Sequence, residues 1–441
     1  MYRSTIKFVL FISIALTSVQ LGYSQTVRTA PGQITEFDVN GMKVLIKRRL
    51  GTPTVAAGLY FRGGVKNLTA DNAGIEGFAL NIAAEGTRSY PRQKLRKETS
   101  SVGTVISAGA NYDFSTLAMA CTKQSFENSW KIFVDVAINP AFAPEDVERV
   151  RGTFLTGLRA QTDSPEGALD FVNDSILYAG HPYTNSPQGT VANITRFKAS
   201  DLAAYHRGLV QASRMLLVIV GDLEPTDLQK QIEASFGKLP RGDYKDNPLP
   251  PLNFSKPTVD ITAKAVETNY VKGTFAAPSI RDADYYAMRT AMTVLQQRVF
   301  EEVRGKRNLS YAPDAELDDM AANTASISAS TTRPNEAVAV MLDEINKIKQ
   351  GSVDAETIGQ MGAYFLTTYY LKEETNAAQA AELAQYELLG GGWRNSLEFL
   401  DRMRKVKPAE IQAAANKYMK NIRFVIVGNP ADVDKAFFLQ N

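Results

Sequence analysis

A chain of 441 residues that is 44% hydrophobic and 22% charged is globular in composition and long enough for two cores, which excludes disordered and collagen-like classes. Its 49 basic and 47 acidic residues leave a formal charge of +2, too even for the concentrated basic face that phosphate binding needs, so nucleic acid is not an expected partner. Cys121 is the one cysteine, so no intrachain disulfide can form and stability rests on packing.

The N-terminal stretch MYRSTIKFVLFISIALTSVQLGYSQ places Arg3 and Lys7 before an apolar run, Phe8 to Val19, and then small residues suited to a cleavage site. Residues 1–24 are expected to be a signal peptide cut after Ser24, because the run is shorter than the ~20 residues a membrane span needs. The mature chain is then expected to be exported, periplasmic or beyond, with no span left after cleavage.

Alternating and apolar patterns predict strands over Thr54–Phe61 and Phe114–Cys121, and helical periodicity predicts helices over Gly74–Ala84, Gln124–Val136 and Pro334–Gln350. In the helix Gly74–Ala84, the residues Ile75, Phe78, Ala79, Ile82 and Ala83 fall at the spacing of one buried face. Further on, the segment LPRGDYKDNPLPPLNFSKP, 239–257, carries prolines that remove ladder donors and disfavour helix; it is expected to be a linker and hinge. The stretches on either side echo each other. A helix, a break and an apolar strand end at Gly221, and the same order of elements ends at Gly428, 207 residues later. Turns before acidic helix starts at Pro144 and Val353 repeat at 209 residues. Two pairs at nearly one offset predict a tandem repeat. The expected fold is α+β, with two homologous α/β sandwich domains, 25–238 and 258–441, each a sheet backed by helices, facing each other across a cleft.

Several segments together, FRGG (Phe61–Gly64), DNAGIEGFALNIAAEGTRSY, GANYDFSTLAMACT, DVAINPAFAPEDVERVRG, AGHPYTNSPQGT and MLLVIVGD, resemble the pitrilysin/insulinase family of zinc peptidases along nearly the whole first half. In active members the matching helix carries an inverted zinc motif, two histidines four residues apart with the catalytic glutamate between them. The resemblance sets the first histidine at Gly77, the glutamate at Leu80, the second histidine at Asn81 and the later glutamate ligand at Gly157, beside Thr156. None of these can ligate zinc or serve as base, so the motif is degenerate, no cofactor is expected in this chain, and zinc is expected only in a partner. Glu76 and Glu85 flank the degenerate motif with no metal to serve, Glu76 pointing away from the Gly77 face. His181 and His206, the only histidines, are 25 residues apart and are read as structural; Cys121 is read as core.

In the second half, VFEEVRGKRNLSYAPDAELDD resembles the segment through which the noncatalytic chain of two-chain bacterial members donates an arginine and a tyrosine, seven residues apart, to a peptide in its partner's cleft; Arg304 and Tyr311 fit that pair. The glycine run that some noncatalytic subunits carry just before this element is missing from MRTAMTVLQQRVF, and Gly390-Gly391-Gly392 is read as a helix end. The resemblance implies a noncatalytic subunit, inactive alone, forming a heterodimer with a homologous zinc peptidase and helping to bind and orient peptides. The alternative is a stand-alone peptide-binding or scaffold protein.

Overall fold

The structure, a computed structural model, describes residues 34–440. The segment 1–24 expected to be a signal lies outside them.

In the first half the elements run β1 (Ile34–Val39), β2 (Met42–Arg48), β3 (Thr54–Arg62), α1 (Ile75–Ala83), α2 (Arg92–Ser101), β4 (Val105–Ala110), β5 (Phe114–Thr122), α3 (Phe126–Ile138), α4 (Pro144–Ala160), α5 (Pro165–Leu177), α6 (Val191–Arg196), α7 (Ala199–Leu209), β6 (Met215–Gly221) and α8 (Pro225–Phe236). The second half follows with β7 (Thr258–Ala263), β8 (Asn269–Ala276), α9 (Tyr285–Val299), β9 (Asp314–Leu317), β10 (Thr324–Thr331), α10 (Pro334–Lys349), α11 (Ala355–Lys372), α12 (Asn376–Leu388), α13 (Phe399–Lys405), α14 (Pro408–Tyr418), β11 (Arg423–Gly428) and α15 (Lys435–Phe438). Sheet order is β1-β2-β6-β3-β5-β4 in the first half and β7-β11-β8-β10-β9 in the second. Leaving out β1, the two are the same sheet built twice, with the late strands β6 and β11 inserted at equivalent places. This is the α+β fold of two similar halves expected from the sequence.

Local chemistry sets the boundaries. Asn40 and Gly41 both take positive φ between β1 and β2, the two-residue hairpin turn that Asn-Gly favours. Ser164 accepts from the N–H of Gly167 to start α5, and Thr375 accepts from Ala378 to start α12, so equivalent helices open on equivalent caps. β6, MLLVIVG, is buried throughout, as a strand covered on both faces must be.

What covers the two faces differs from the simple sandwich. On one face of the first sheet, Met215, Leu217 and Ile219 pack with Phe133 of α3 and Ile232 of α8, both from the same half. On the other, Leu216, Val218 and Val220 pack with Ala380, Leu383 and Ala384 of α12 and with Trp393, all from the second half. Reciprocally, Val425 and Val427 of β11 pack against Ala168 and Leu169 of α5. Each half therefore lends one helix to the other's sheet. Asn173 accepts from the Thr274 hydroxyl at 3.0 Å in the buried α5 contact, and Asn376 donates to the Thr54 carbonyl at 2.7 Å at the start of α12.

A cleft of about 580 Å³ remains between the halves, lined by Arg62, Lys66, Asp113, Ser279 and Ala321 and floored by Pro248 to Leu252. Residues 237–257 form neither helix nor strand. The Pro240 and Arg241 carbonyls accept from the N–H groups of Ala212 and Ser213 at 2.9 and 2.8 Å. Lys66 lies 2.5 Å from Asp246, and Asn421 donates to the Phe254 carbonyl at 2.8 Å. Partners from both halves hold this segment, so the expected hinge is instead a strap.

Candidate functional site

Helix α1 starts at Gly74, whose φ of 86° and close approach to Gly189 both require glycine. It packs between β4 and α4. At Gly77 a Cβ would lie 3.2 Å from both the Ala110 Cβ and the Pro187 carbonyl, so a side chain there requires these neighbours to give by a few tenths of an ångström. Leu80 is fully buried in the first-half core. Asn81 donates its amide to the carbonyl of Gly77, one turn back, at 2.8 Å. Gly157 on α4 is exposed, and a methyl added there would meet nothing within 4 Å. These four positions supply no carboxylate, no imidazole and no thiolate, and the single amide is committed to its own helix. The donor set does not fit zinc. Among the described residues no group of three or more His, Cys, Asp or Glu side chains is placed to hold a metal ion.

Glu76, beside these positions, belongs to the interior. Its carboxylate accepts from Tyr205 at 2.5 Å, from Ser115 and from Arg214 Nη2 at 2.7 Å, and it is 2% exposed. Arg214 Nε donates to the Arg62 carbonyl at 3.0 Å, so this buried ion pair joins α1, β3, β5, α7 and the turn that leads into β6 at one point. Glu85 pairs with Arg149 at 2.6 Å and with Arg92 at 3.2 Å. His181 accepts the Tyr183 N–H on Nδ1 at 3.1 Å, which leaves Nε2 to donate to the Pro250 carbonyl at 3.0 Å; it fastens the strap. Burial pushes His206 down to about 4, so the ring is neutral, packed edge-on against Phe142. Cys121 is buried, and burial raises its thiol out of the reactive range.

Arg304 and Tyr311 are brought together. The last turns of α9 widen into a π-helix over Phe300–Lys306, a form concentrated at functional sites. Val303 and Leu309 are buried and joined by a 2.8 Å backbone hydrogen bond, which turns the intervening residues outward. The Arg304 guanidinium sits 4.1 Å from the Tyr311 ring centroid and 5.0 Å from that of Phe300, a cation held between two aromatic faces. Tyr311 is 78% exposed and Phe300 46%. Lys306 and Arg307 both bond Glu302 and hold its carboxyl down at about 2, so they are tied up and Arg304 is left for other contacts. Sequence reasoning misses Phe300; its position four residues before Arg304 on a helix is the signal that it shares that face.

Strand β4 supplies a second surface. It pairs with β5 on one side only and ends at Ala110 against α1. Its backbone on the open side is available to another strand.

Rebuilding the motif tests the fit directly. The quadruple variant Gly77→His, Leu80→Glu, Asn81→His, Gly157→Glu is expected to hold well under one zinc per chain by elemental analysis, because residue 77 is closely hemmed by Ala110 and Pro187 and residue 80 faces the core. Stoichiometric zinc would show that the pocket has kept its shape.

Comparison with known proteins matches the family described as Insulinase (Peptidase family M16) over residues 43–190 and that described as Peptidase M16 inactive domain over residues 196–360. An uncharacterized zinc protease of Rickettsia bellii is 20% identical over 86% of this chain and 93% of its own. Cytochrome b-c1 complex subunit 1 of Bos taurus is 23% identical over 52% of this chain and 48% of its own; the chain spans about half the length of the curated relatives it first matches. Among solved structures, the peptidase M16 inactive domain from Pseudomonas fluorescens has a TM-score of 0.83 at 18% identity, covering 90% of this chain and 98% of that one. The periplasmic protease PqqL from Escherichia coli has a TM-score of 0.75 at 15% identity, covering 92% of this chain and 49% of that one.

Proposed function

The chain belongs to the insulinase family, peptidase family M16, and we propose that it serves there as an exported noncatalytic subunit, pairing with a homologous zinc-bearing peptidase chain and helping to bind and orient its peptide substrate. One observation carries the reading: the positions that would bear the metal hold Gly77, Leu80, Asn81 and Gly157, while a half-buried Arg304 is stacked on an exposed Tyr311. An extended peptide adds to the open edge of β4 through its own backbone, which selects for length and shape above sequence. Arg304 and Tyr311 donate to a peptide carbonyl in the partner's cleft, where a guanidinium and a phenol polarise it and favour the charge that builds on its oxygen. Export is supported by the likeness to PqqL, a periplasmic protease. Among the described residues no helix is long and apolar enough to cross a membrane.

The test is purification of the tagged chain from its native cells with whatever accompanies it, followed by peptidase assays on the pair. Arg304→Ala and Tyr311→Phe are each expected to lower turnover about tenfold or more, the loss of one hydrogen bond worth roughly 1.5–3 kcal/mol, without dissociating the pair. Unchanged turnover in both variants would remove these side chains from the reaction, and recovery of the chain alone would favour a stand-alone peptide-binding role.

A further inference from the structure

The second half holds a cavity of about 360 Å³ between α9, β9, α11 and α12. By element order it lies where α1, β4 and α4 meet in the first half: α9 follows β8 as α1 follows β3, β9 is outermost as β4 is, and α11 precedes α12 as α4 precedes α5. The two equivalent places have diverged. In the first half, Gly77 is closed in by its neighbours; in the second, the space is open and its walls carry chemistry.

Much of the wall is aromatic. Tyr369 of α11 stacks on Phe399 with ring centroids 5.6 Å apart and planes within 15°, and Tyr285 and Tyr386 complete the enclosure. Three acidic residues line it: Glu316 of β9, which is exposed and whose carboxyl burial and the nearby Asp318 push up, Asp319 and Glu382. Asp319 is matched, accepting from Tyr285 at 2.5 Å and from Arg289 Nη1 at 3.2 Å. Glu382 of α12 is not. It is 6% exposed, and no lysine, arginine or histidine among the described residues pairs with it. Its near neighbour is another carboxyl, Glu373 at the end of α11, whose Oε1 is buried without a hydrogen-bond partner. Lys372 stands exposed at the mouth, Lys47 faces the two carboxyls from β2 without pairing with either, and the Arg289–Asp319 pair lies in the wall with Glu382. Burial first, and then Glu373, push Glu382 up to about 8, so it is largely protonated at neutral pH.

We propose that this cavity binds a single basic side chain presented by a peptide, the guanidinium of arginine or the ammonium of lysine, with Glu382 as counter-ion and the rings of Tyr369 and Tyr386 as walls. The electron-rich faces of tyrosine rings attract a cation, and a buried carboxyl that no neighbouring lysine or arginine pairs with directly is the complementary charge. A cation entering the cavity stabilises the carboxylate form of Glu382, whose proton leaves to solvent as the complex forms. The site belongs to the lone chain and is independent of any catalytic partner.

Calorimetric titration of the purified chain with acetyl-arginine amide and acetyl-norleucine amide, in two buffers of different ionisation enthalpy, tests this. Arginine is expected to bind at least about tenfold tighter than norleucine, to release close to one proton at neutral pH, and to bind more tightly as pH rises through about 8. Glu382→Gln is expected to remove both the preference and the proton release. Should that variant fail to fold, Tyr369→Leu is the second probe, with weakened arginine binding and proton release retained. Equal affinity for the two amides in the wild-type chain, or arginine binding unchanged in both variants, would overturn the proposal.

Discussion

Arg214→Met is expected to destabilise the protein by about 3–5 kcal/mol, the range for breaking a buried ion pair from one side. The charge left behind is Glu76, 2% exposed, which would keep only Ser115 and Tyr205 as donors. The Arg62 carbonyl would lose its 3.0 Å donor, and the Tyr244 ring in the strap would lose the guanidinium that lies 5.3 Å from its centroid. Urea unfolding measures the loss. The double variant Glu76→Gln, Arg214→Met separates charge from packing, since replacing both members of a buried pair by neutral groups costs far less than removing one. A loss below about 1 kcal/mol for the single variant would mean that water reaches Glu76 once the arginine is gone.

Trp393→Ala is expected to cost about 3–5 kcal/mol, as for other buried aromatics cut back to alanine, and to loosen α12 in particular. Trp393 is 3% exposed and packs with Leu45, Leu216 and Val218 of the first sheet, while its indole N–H donates to Glu36 at 2.9 Å. That bond is also the main reason the Glu36 carboxyl titrates below its ordinary value. Trp393→Phe keeps most of the apolar contact and gives up the hydrogen bond, so its cost is expected near ~1 kcal/mol. Hydrogen exchange reads the location: faster exchange in Trp393→Ala should concentrate in α12 and in β3 and β6 beneath it. Uniform acceleration would mean that α12 does not open separately from the rest.

The duplication was legible because the late strands ending at Gly221 and Gly428 share the apolar run VIVG and the same order of elements around it. The exchange of α5 and α12 was not, because an apolar residue announces that it will be covered without saying by what. The same limit applies to the strap. Prolines ruled out regular structure, but the partners that hold it, Ala212, His181 and Asn421, lie tens to more than a hundred residues away. At α1 the loss of ligands was legible once the resemblance to the zinc peptidases set the positions, yet the bond from Arg214 to Glu76, 138 residues earlier, has no local signature. Arg304 and Tyr311 were singled out by the resemblance of their segment to the two-chain members of the family; that they stack on each other, with Phe300 behind, depends on the π-helical turn, which no periodicity in the sequence marks.

The lending of a helix in each direction fixes the order in which the molecule can be completed. When β6 has been made, its alternate residues Leu216, Val218 and Val220 face a space that is not fully covered until α12 and then Trp393 have been made, Trp393 lying 172 residues beyond the strand's end at Gly221. At ~5–20 residues per second that is an interval of roughly 10–35 s in which a sticky strip of sheet has nothing of its own to cover it. The first half cannot be finished before the second, and a single repeat released alone would seek the missing helix from another copy of itself, so the strap keeps within one molecule an exchange that would otherwise join two.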